Sequence, residues 1–302
     1  IFAFARIIQG LGEALHSGTM ESLLYDTLKE KKKEHHYDKV IANVETLTWI
    51  GLFSSSIIGG FMYDYWYRLP FIAAATLYLI MGFVTLFLEE PKIDSDKFSF
   101  TTYIKQNSKG FSQLFKDKKR SLFSLMIITI ASGYFIAAKI LGISQAREYG
   151  MGGKEVGILF GTGYIVAAVA SYFYPKIRNK FGNAKLLIAA STILIISFVF
   201  AKFVGVVIGS LLIIMRISSS TTFNNARSVI INRLVDSRNR NTSLSTLTLL
   251  SQLPFTILFY FIGDLIDKHS PNNFALMLGL VLVILIIPQY LLFIKITTKS
   301  KQ

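Results

Sequence analysis

Residues 2–26 read FAFARIIQGLGEALHSGTMESLLYD, an apolar helix interrupted by regularly spaced polar side chains. At about 100° per residue, Arg6, Gln9, Glu13 and His16 fall within an arc of roughly 80° on one face. Charged groups inside a bilayer are costly, so they persist where they face a bundle interior or a water-filled path. The stretch therefore predicts a membrane-embedded helix whose polar stripe faces the inside of a helical bundle.

The rest of the chain has the composition of an integral membrane protein. Of its 302 residues, 52% are hydrophobic and 17% are charged, and the mean hydropathy is +0.49. The formal charge of +14 does not indicate nucleic-acid binding, because the basic residues lie between apolar runs rather than on one exposed face. There is no cysteine, P-loop, nucleophile elbow or zinc motif, so we expect no enzyme activity, no cofactor and no metal site.

Nine stretches are apolar enough and long enough to cross a hydrocarbon core, which takes about 20 residues. They are predicted at Phe2–Thr27, Val40–Tyr63, Pro70–Leu88, Leu122–Ile143, Val156–Tyr174, Leu186–Phe203, Val206–Ala226, Leu244–Ile266 and Phe274–Ile296. The fold class is thus an all-α integral membrane bundle. We divide it into a partial N-terminal half at residues 1–90, a cytoplasmic linker at 91–120 and a six-helix C-terminal half at 121–302.

The distribution of lysine and arginine predicts the orientation. With the first helix running inward, 24 of these residues lie in interior segments and 5 in exterior segments, as the positive-inside rule requires. Within the linker, Phe100, Ile104 and Phe111 recur near helical spacing among lysines. This pattern fits a helix lying on an anionic inner leaflet, and it fits an ordinary charged linker equally well.

The sequence RIIQGLG at residues 6–12 has the form R-x-x-Q-G-x-G. It resembles the motif of the fourth helix in the major facilitator superfamily of secondary transporters, whose arginine is associated with proton coupling. Gly51, Gly59 and Gly60 occupy three of the five fixed places of the antiporter motif G-x-x-x-G-P-x-x-G-G, with serines in the other two. The resemblance implies two six-helix halves, with the helices here corresponding to the fourth to the twelfth of twelve.

A second group of motifs falls in the C-terminal half. Residues 175–182 resemble a degraded copy of the interior gate motif G-x-x-x-D-R-x-G, with Asn179 and Lys180 in the aspartate and arginine places and Gly182 at its end. Arg216 is followed twenty positions later by Asp236, as Arg6 is by Asp26, and the resemblance implies that this reflects the family's repeat of two halves.

Glu13 is the predicted proton-binding residue. Burial in a bundle favours its protonated form, whereas Arg6, two turns away on the same stripe, favours the ionised form. A carboxyl group balanced between these influences can bind and release a proton as its hydration changes, and His16 can titrate near neutral pH. The same side chains also fit a static buried pair that fixes helix packing.

The predicted substrate cavity draws on polar and aromatic side chains of several spans, namely Gln9, Trp49, Arg216 and Asn224. Arg216 fits a counter-ion for substrate and also a structural hydrogen-bond donor, and an aromatic residue such as Trp49 also fits simple packing. The glycines that leave backbone open for close helix contact are Gly10, Gly12, Gly51, Gly59 and Gly60.

The sequence thus predicts a proton-coupled secondary transporter that exports small organic molecules or drugs by alternating access. A metabolite or sugar symporter and a non-transporting membrane sensor or scaffold are the alternatives. The expected partners are a small-molecule substrate, protons and the bilayer, with no nucleic acid, in a monomeric multi-pass protein of a bacterial plasma membrane. Because the pattern predicts that three helices are missing, we expect the 302-residue chain alone to be inactive.

Overall fold

The computed structural model describes residues 19–89, 108–234 and 240–299, and also Ile8 and Gly12 as single positions. The described residues form helices joined by short turns, and no strand occurs among them. A helix satisfies its backbone hydrogen bonds internally, which is the requirement that hydrocarbon imposes on a spanning segment.

Three helices precede the predicted linker. Helix α1 covers Thr19–Glu30, α2 covers Tyr37–Tyr65 and α3 covers Leu69–Thr85. Pro70 lies in the first turn of α3, where its missing N–H has no partner to lose and its fixed φ suits the helix.

The first span after the linker is a single long helical segment with a local widening. Helix α4 covers Lys118–Ile136, a π-helical turn covers Ala137–Leu141, and α5 covers Gly142–Glu148. Asp117 caps its N-terminus, because the Arg120 backbone N–H donates to Asp117 Oδ1 at 2.8 Å. The segment therefore begins at a defined cap, close to the predicted end of the linker.

Two helices follow that meet at a tight turn. Helix α6 covers Gly153–Phe181 and α7 covers Asn183–Val199. Gly182 joins them with a φ of 80°, a backbone conformation that favours glycine because a Cβ would be crowded there. This glycine is the last residue of the predicted gate motif.

The last three helices are longer than the predicted spans. Helix α8 covers Val206–Leu234, α9 covers Arg240–His269 and α10 covers Pro271–Lys299. The predicted α8 span ends at Ala226, before the charged Arg227, whereas the helix continues through the apolar residues 229–231 to Leu234.

Within the described ranges, five helical segments are long and apolar enough to cross a membrane. They are Lys118–Glu148, Gly153–Phe181, Val206–Ile231, Thr242–His269 and Pro271–Leu291. Helices α3 and α7 are also apolar but shorter, at 17 residues each. The all-helical membrane architecture is thus confirmed for the described residues, and the predicted count of nine spans is not.

The described residues fall into two units. One holds the residues up to Gly51 together with those from Tyr67 to 89, and the other holds Leu52–Trp66 together with those from 108 onward. In the second unit, α8 packs against α6 and α7, while α10 packs against α4 and α7. Its core is formed by large buried side chains, among them Ile127, Leu194, Phe198, Phe223 and Leu247.

Candidate functional site

The predicted proton-coupling residues Arg6, Glu13 and His16 lie outside the described residues, as do Gln9 and Gly10. Of the predicted cavity residues, Trp49 is half-buried on α2, Asn224 is exposed on α8 and Arg216 is buried on α8. Arg216 is therefore the predicted cavity residue whose surroundings the structure defines most fully.

The Arg216 side chain is only 3% exposed and has two partners from other helices. Its Nη2 donates to Gln145 Oε1 of α5 at 2.9 Å. Its guanidinium carbon lies 5.1 Å from the centre of the Phe198 ring of α7. The positive charge thus meets a neutral amide and an aromatic face, and no carboxylate forms an ion pair with it among the described residues.

Gln145 extends this contact to a third helix. Its Nε2 donates to Asn272 Oδ1 at 3.1 Å, and the Asn272 backbone N–H donates to Glu148 Oε2 at 2.7 Å. The hydrogen bonds connect α5, α8 and the first turn of α10, at the end of the bundle predicted to face the exterior. We call Gln145, Arg216 and Asn272 the amide network.

A second set of bonds holds the backbone beneath Arg216. The Tyr134 hydroxyl lies 2.7 Å from the Ala190 carbonyl oxygen and 2.9 Å from Ser219 Oγ, and Ser219 Oγ donates to the Arg216 carbonyl at 3.0 Å. All of these atoms belong to buried residues, so the bonds fix α4, α7 and α8 against each other.

Tyr149 closes the same end of the bundle from the turn after α5. Its hydroxyl donates to the Ala201 carbonyl oxygen at 2.8 Å. Burial raises the pKa of the Tyr149 phenol. The positive charge of Arg216 offsets part of this increase, and the negative charge of Glu148 adds a smaller increase. The phenol is therefore protonated at neutral pH and acts as a donor.

A different contact joins α2 to the N-terminal half of α6 through glycines. A Cβ added to Gly60 would lie 2.5 Å from the Gly153 carbonyl oxygen and 2.9 Å from Gly157 Cα. Both neighbouring atoms belong to the backbone, so the two helices approach as closely as glycine allows. Gly51 and Gly59 on the same helix, and Gly12, have no described atom within 4 Å of an added Cβ.

Hydrogen bonds stabilise the close contact of the two helices near the N-terminus of α6. Asp64 Oδ1 accepts from the Gly153 N–H and Asp64 Oδ2 accepts from the Lys154 N–H, each at 2.7 Å. Ser56 Oγ donates to the Gly157 carbonyl oxygen at 3.0 Å. The carboxylate thus caps the N-terminus of α6, where free N–H groups and the helix dipole favour negative charge. We call these α2 and α6 residues the α2–α6 contact.

Two cations lie over aromatic rings beside this contact. The Arg147 guanidinium is 4.8 Å from the centre of the Tyr63 ring, and the Lys154 ammonium is 5.1 Å from that of Phe61. Each pair joins a residue of α2 to one at or before the start of α6. They add modest stabilisation to the α2–α6 contact, because the side chains are exposed.

Replacing Asp64 by asparagine is expected to weaken the α2–α6 contact. The amide offers one acceptor oxygen in place of two and carries no charge, so the loss should be about 0.5–2 kcal/mol. Asp264→Asn is the matched control, because Asp264 is exposed and its ion pair in the described part of the chain is with Lys268, one turn away. Thermal unfolding in detergent measures both variants, and equal melting temperatures for Asp64→Asn and Asp264→Asn would contradict the capping role.

The predicted gate residues lie at the turn between α6 and α7. Asn179 Oδ1 accepts from Arg178 Nη2 at 3.4 Å, and the Lys180 ammonium is 5.4 Å from the centre of the Phe181 ring. Both Asn179 and Lys180 are exposed. In the described part of the chain their partners are neighbours in sequence, so this turn forms no bond to another helix through these two side chains.

Sequence reasoning missed Asp64, Gln145 and Asn272. The close approach that Asp64 caps did have a signal, since Gly153, Gly157 and Gly161 of α6 repeat at four-residue spacing, a pattern of close helix contact in membranes. Gln145 and Asn272 had no such signal, because neutral polar residues near the ends of spans are ordinary there.

Comparison with protein families identifies a match over most of the chain. The family model described as Major Facilitator Superfamily matches residues 1–254, which extend from the N-terminal polar stripe into α9. A search of curated proteins finds no match.

Proposed function

The chain belongs to the major facilitator superfamily of membrane transporters, and on this premise we propose that it exports small organic molecules in exchange for protons. Family membership and the long apolar helices make it a multi-pass membrane protein. We propose further that it is a monomer with neither cofactor nor metal, and that it resides in a bacterial plasma membrane with nine spans in this chain.

The α2–α6 contact is the observation that best supports alternating access. It uses backbone atoms of Gly60 and Gly157, and one carboxylate caps it. Separation at these two glycines exposes little apolar surface, because glycine contributes no side chain to the seal. In the orientation proposed from lysine and arginine placement it lies at the exterior end, so the described state is closed outward.

Proton coupling is proposed for the polar stripe of the first helix. Glu13 alternates between a protonated and an ionised form, Arg6 stabilises the ionised form, and His16 assists the exchange with water. These roles rest on the residue types and their spacing, together with the resemblance of residues 6–12 to the family's fourth-helix motif.

The substrate class is proposed from the character of the spans. Aromatic residues make up 14% of the chain, and the polar cavity candidates are few, which favours amphipathic organic molecules over sugars. We propose that Gln9, Trp49 and Asn224 contact the cargo and that Arg216 provides the positive charge of the C-terminal half.

The test is proton flux through the full-length protein in liposomes that contain a pH-sensitive dye. Cationic dyes and small metabolites are added in turn to wild type and Glu13→Gln. We expect a substrate-dependent change in internal pH that is lost in Glu13→Gln. Asp267→Asn is the control, because Asp267 is an exposed acid in the last turn of α9, outside the α2–α6 contact, and should leave the flux unchanged.

The sign of the pH change separates the alternatives. Proton movement opposite to the cargo indicates antiport, and movement with it indicates a symporter. Binding of cargo without any flux, in wild type and in Glu13→Gln alike, favours a sensor or scaffold and contradicts the proposal.

A further inference from the structure

A crevice of about 330 Å³ lies among α6, α7 and α8. Helices α6 and α7 each pack along α8 far more extensively than against each other. They therefore diverge and leave a gap between them, and α8 forms the inner wall of this gap. Its walls are mostly apolar, including Val166 and Ala170 of α6, Ala189 and Ile193 of α7, and Met215 of α8. Val166, Ala189 and Met215 are exposed, so the crevice opens to the surroundings of the bundle.

The crevice ends at the turn around Gly182. Tyr174, Ile177 and Leu186, which line it, lie near the C-terminus of α6 and the N-terminus of α7. The Tyr174 hydroxyl donates to Asn183 Oδ1 at 2.8 Å and fastens the two helices at this end. In the proposed orientation this turn is interior, so the crevice lies at the depth of the inner leaflet.

Three cations are adjacent in sequence to residues that line this end of the crevice. Lys176 and Arg178 flank Ile177, and Lys185 precedes Leu186. No aspartate or glutamate occurs in the sequence from residue 156 to 235, and none of the three cations forms an ion pair among the described residues. Among the described residues, no carboxylate therefore pairs with the positive charge at the mouth of the crevice.

We propose that the crevice binds one acyl chain of an acidic phospholipid whose phosphate contacts Lys176, Arg178 and Lys185. The apolar walls match the chain, and the unbalanced cations match the anionic headgroup at the interface. The proposal uses the orientation proposed above and does not depend on transport activity.

An acyl chain bound in the crevice stabilises α8, the helix that carries Arg216. The α8 wall includes Ser219, whose hydroxyl donates to the Arg216 carbonyl at 3.0 Å and lies 2.9 Å from the Tyr134 hydroxyl. An acyl chain packed against this wall fills space beside those bonds and stabilises α8 in the described position. Lipid composition is thus linked to the stability of the amide network.

The experiment measures lipid retention by native mass spectrometry of the full-length protein. The purified protein is mixed with equal amounts of dioleoylphosphatidylglycerol and dioleoylphosphatidylcholine and then released from detergent. We expect preferential retention of one phosphatidylglycerol. Because a cation near the membrane surface contributes about 1 kcal/mol, Lys185→Gln should lower that retention about fivefold.

Two further variants separate the contributions of charge and shape. Lys202→Gln is the matched control, because Lys202 is also exposed but follows the opposite end of α7, and its retention should equal that of wild type. Ala189→Phe places a ring in the open crevice and should lower retention of both lipids. If the Ala189→Phe variant does not fold, the Ala189→Leu variant is measured in its place.

Three results would overturn the proposal. Equal retention of the two lipids would contradict the proposed contact between the phosphate and the cations. An equal loss of phosphatidylglycerol retention in Lys185→Gln and Lys202→Gln would show that the preference comes from general surface charge. Unchanged retention in the folded Ala189 variant places the lipid elsewhere. Since retention is measured without substrate or proton flux, failure of the transport proposal leaves this test intact.

Discussion

Gly157→Leu is expected to abolish transport by preventing closure of the α2–α6 contact. A Cβ at Gly157 would lie 2.6 Å from the Ser56 carbonyl oxygen and 3.0 Å from Gly60 Cα. Backbone atoms of two packed helices cannot rotate away as a flexible side chain can. The helices must therefore separate, and the Asp64 bonds to Gly153 and Lys154 must lengthen with them.

The expected size of the effect follows from the cost of overpacking. Extra methylene groups in a packed interior cost about 1–3 kcal/mol, and a clash with backbone belongs at or above the top of that range. A loss of about 3 kcal/mol lowers the population of the closed state relative to the open state by about 100-fold. A transporter that cannot populate one of its two states completes no cycle.

Spin-label distances measure this change directly. The chain has no cysteine of its own to react with the label. Cysteines are therefore introduced in place of Tyr65 and Phe203, which are 87% and 67% exposed, and these carry the two labels. Gly157→Leu should lengthen and broaden the distance between the two labels. Gly59→Leu is the matched control, because an added Cβ at Gly59 meets nothing within 4 Å. An unchanged distance together with normal transport in Gly157→Leu would refute the role of the contact.

The helical architecture was predictable because hydropathy reports directly on the solvent of each segment. It located the apolar centre of α8 from Val206 onward, but it placed the end at Ala226 rather than Leu234. The residues of α8 after Ala226 mix polar and apolar side chains, and their helical state is supported by backbone hydrogen bonds that continue from the preceding turns. Helix ends outside the hydrocarbon are thus poorly determined by composition.

Part of the candidate site was predictable for a different reason. Arg216 stands out because a charge in an apolar helix requires an explanation. Its partners are 71 residues away at Gln145 and, from there, 127 residues away at Asn272. Such pairings are set by which helix faces meet, and a single sequence carries no local signal for them.

Gln145→Leu is expected to destabilise the protein more than removal of Arg216 itself. Leucine removes the acceptor of the 2.9 Å bond and leaves a buried guanidinium beside the Phe198 ring, with no ion-pair partner among the described residues. Hydrogen bonds to charged groups contribute about 1.5–3 kcal/mol, so a loss of that size is expected for Gln145→Leu. Arg216→Met removes the charge along with the bond, and such replacements of buried ions by apolar residues are often neutral or stabilising.

The double variant Gln145→Leu/Arg216→Met should therefore recover the stability that is lost in Gln145→Leu alone. A double-mutant cycle of unfolding free energies measures this recovery. Gln289→Leu is the matched control, because Gln289 is half-buried, its Oε1 has no partner among the described residues, and its bond to Thr129 is 3.5 Å long. Additive losses in the cycle would contradict a charge held by Gln145. If Arg216 also contacts cargo, the double variant folds like wild type yet fails to transport, because restored packing does not restore the charge.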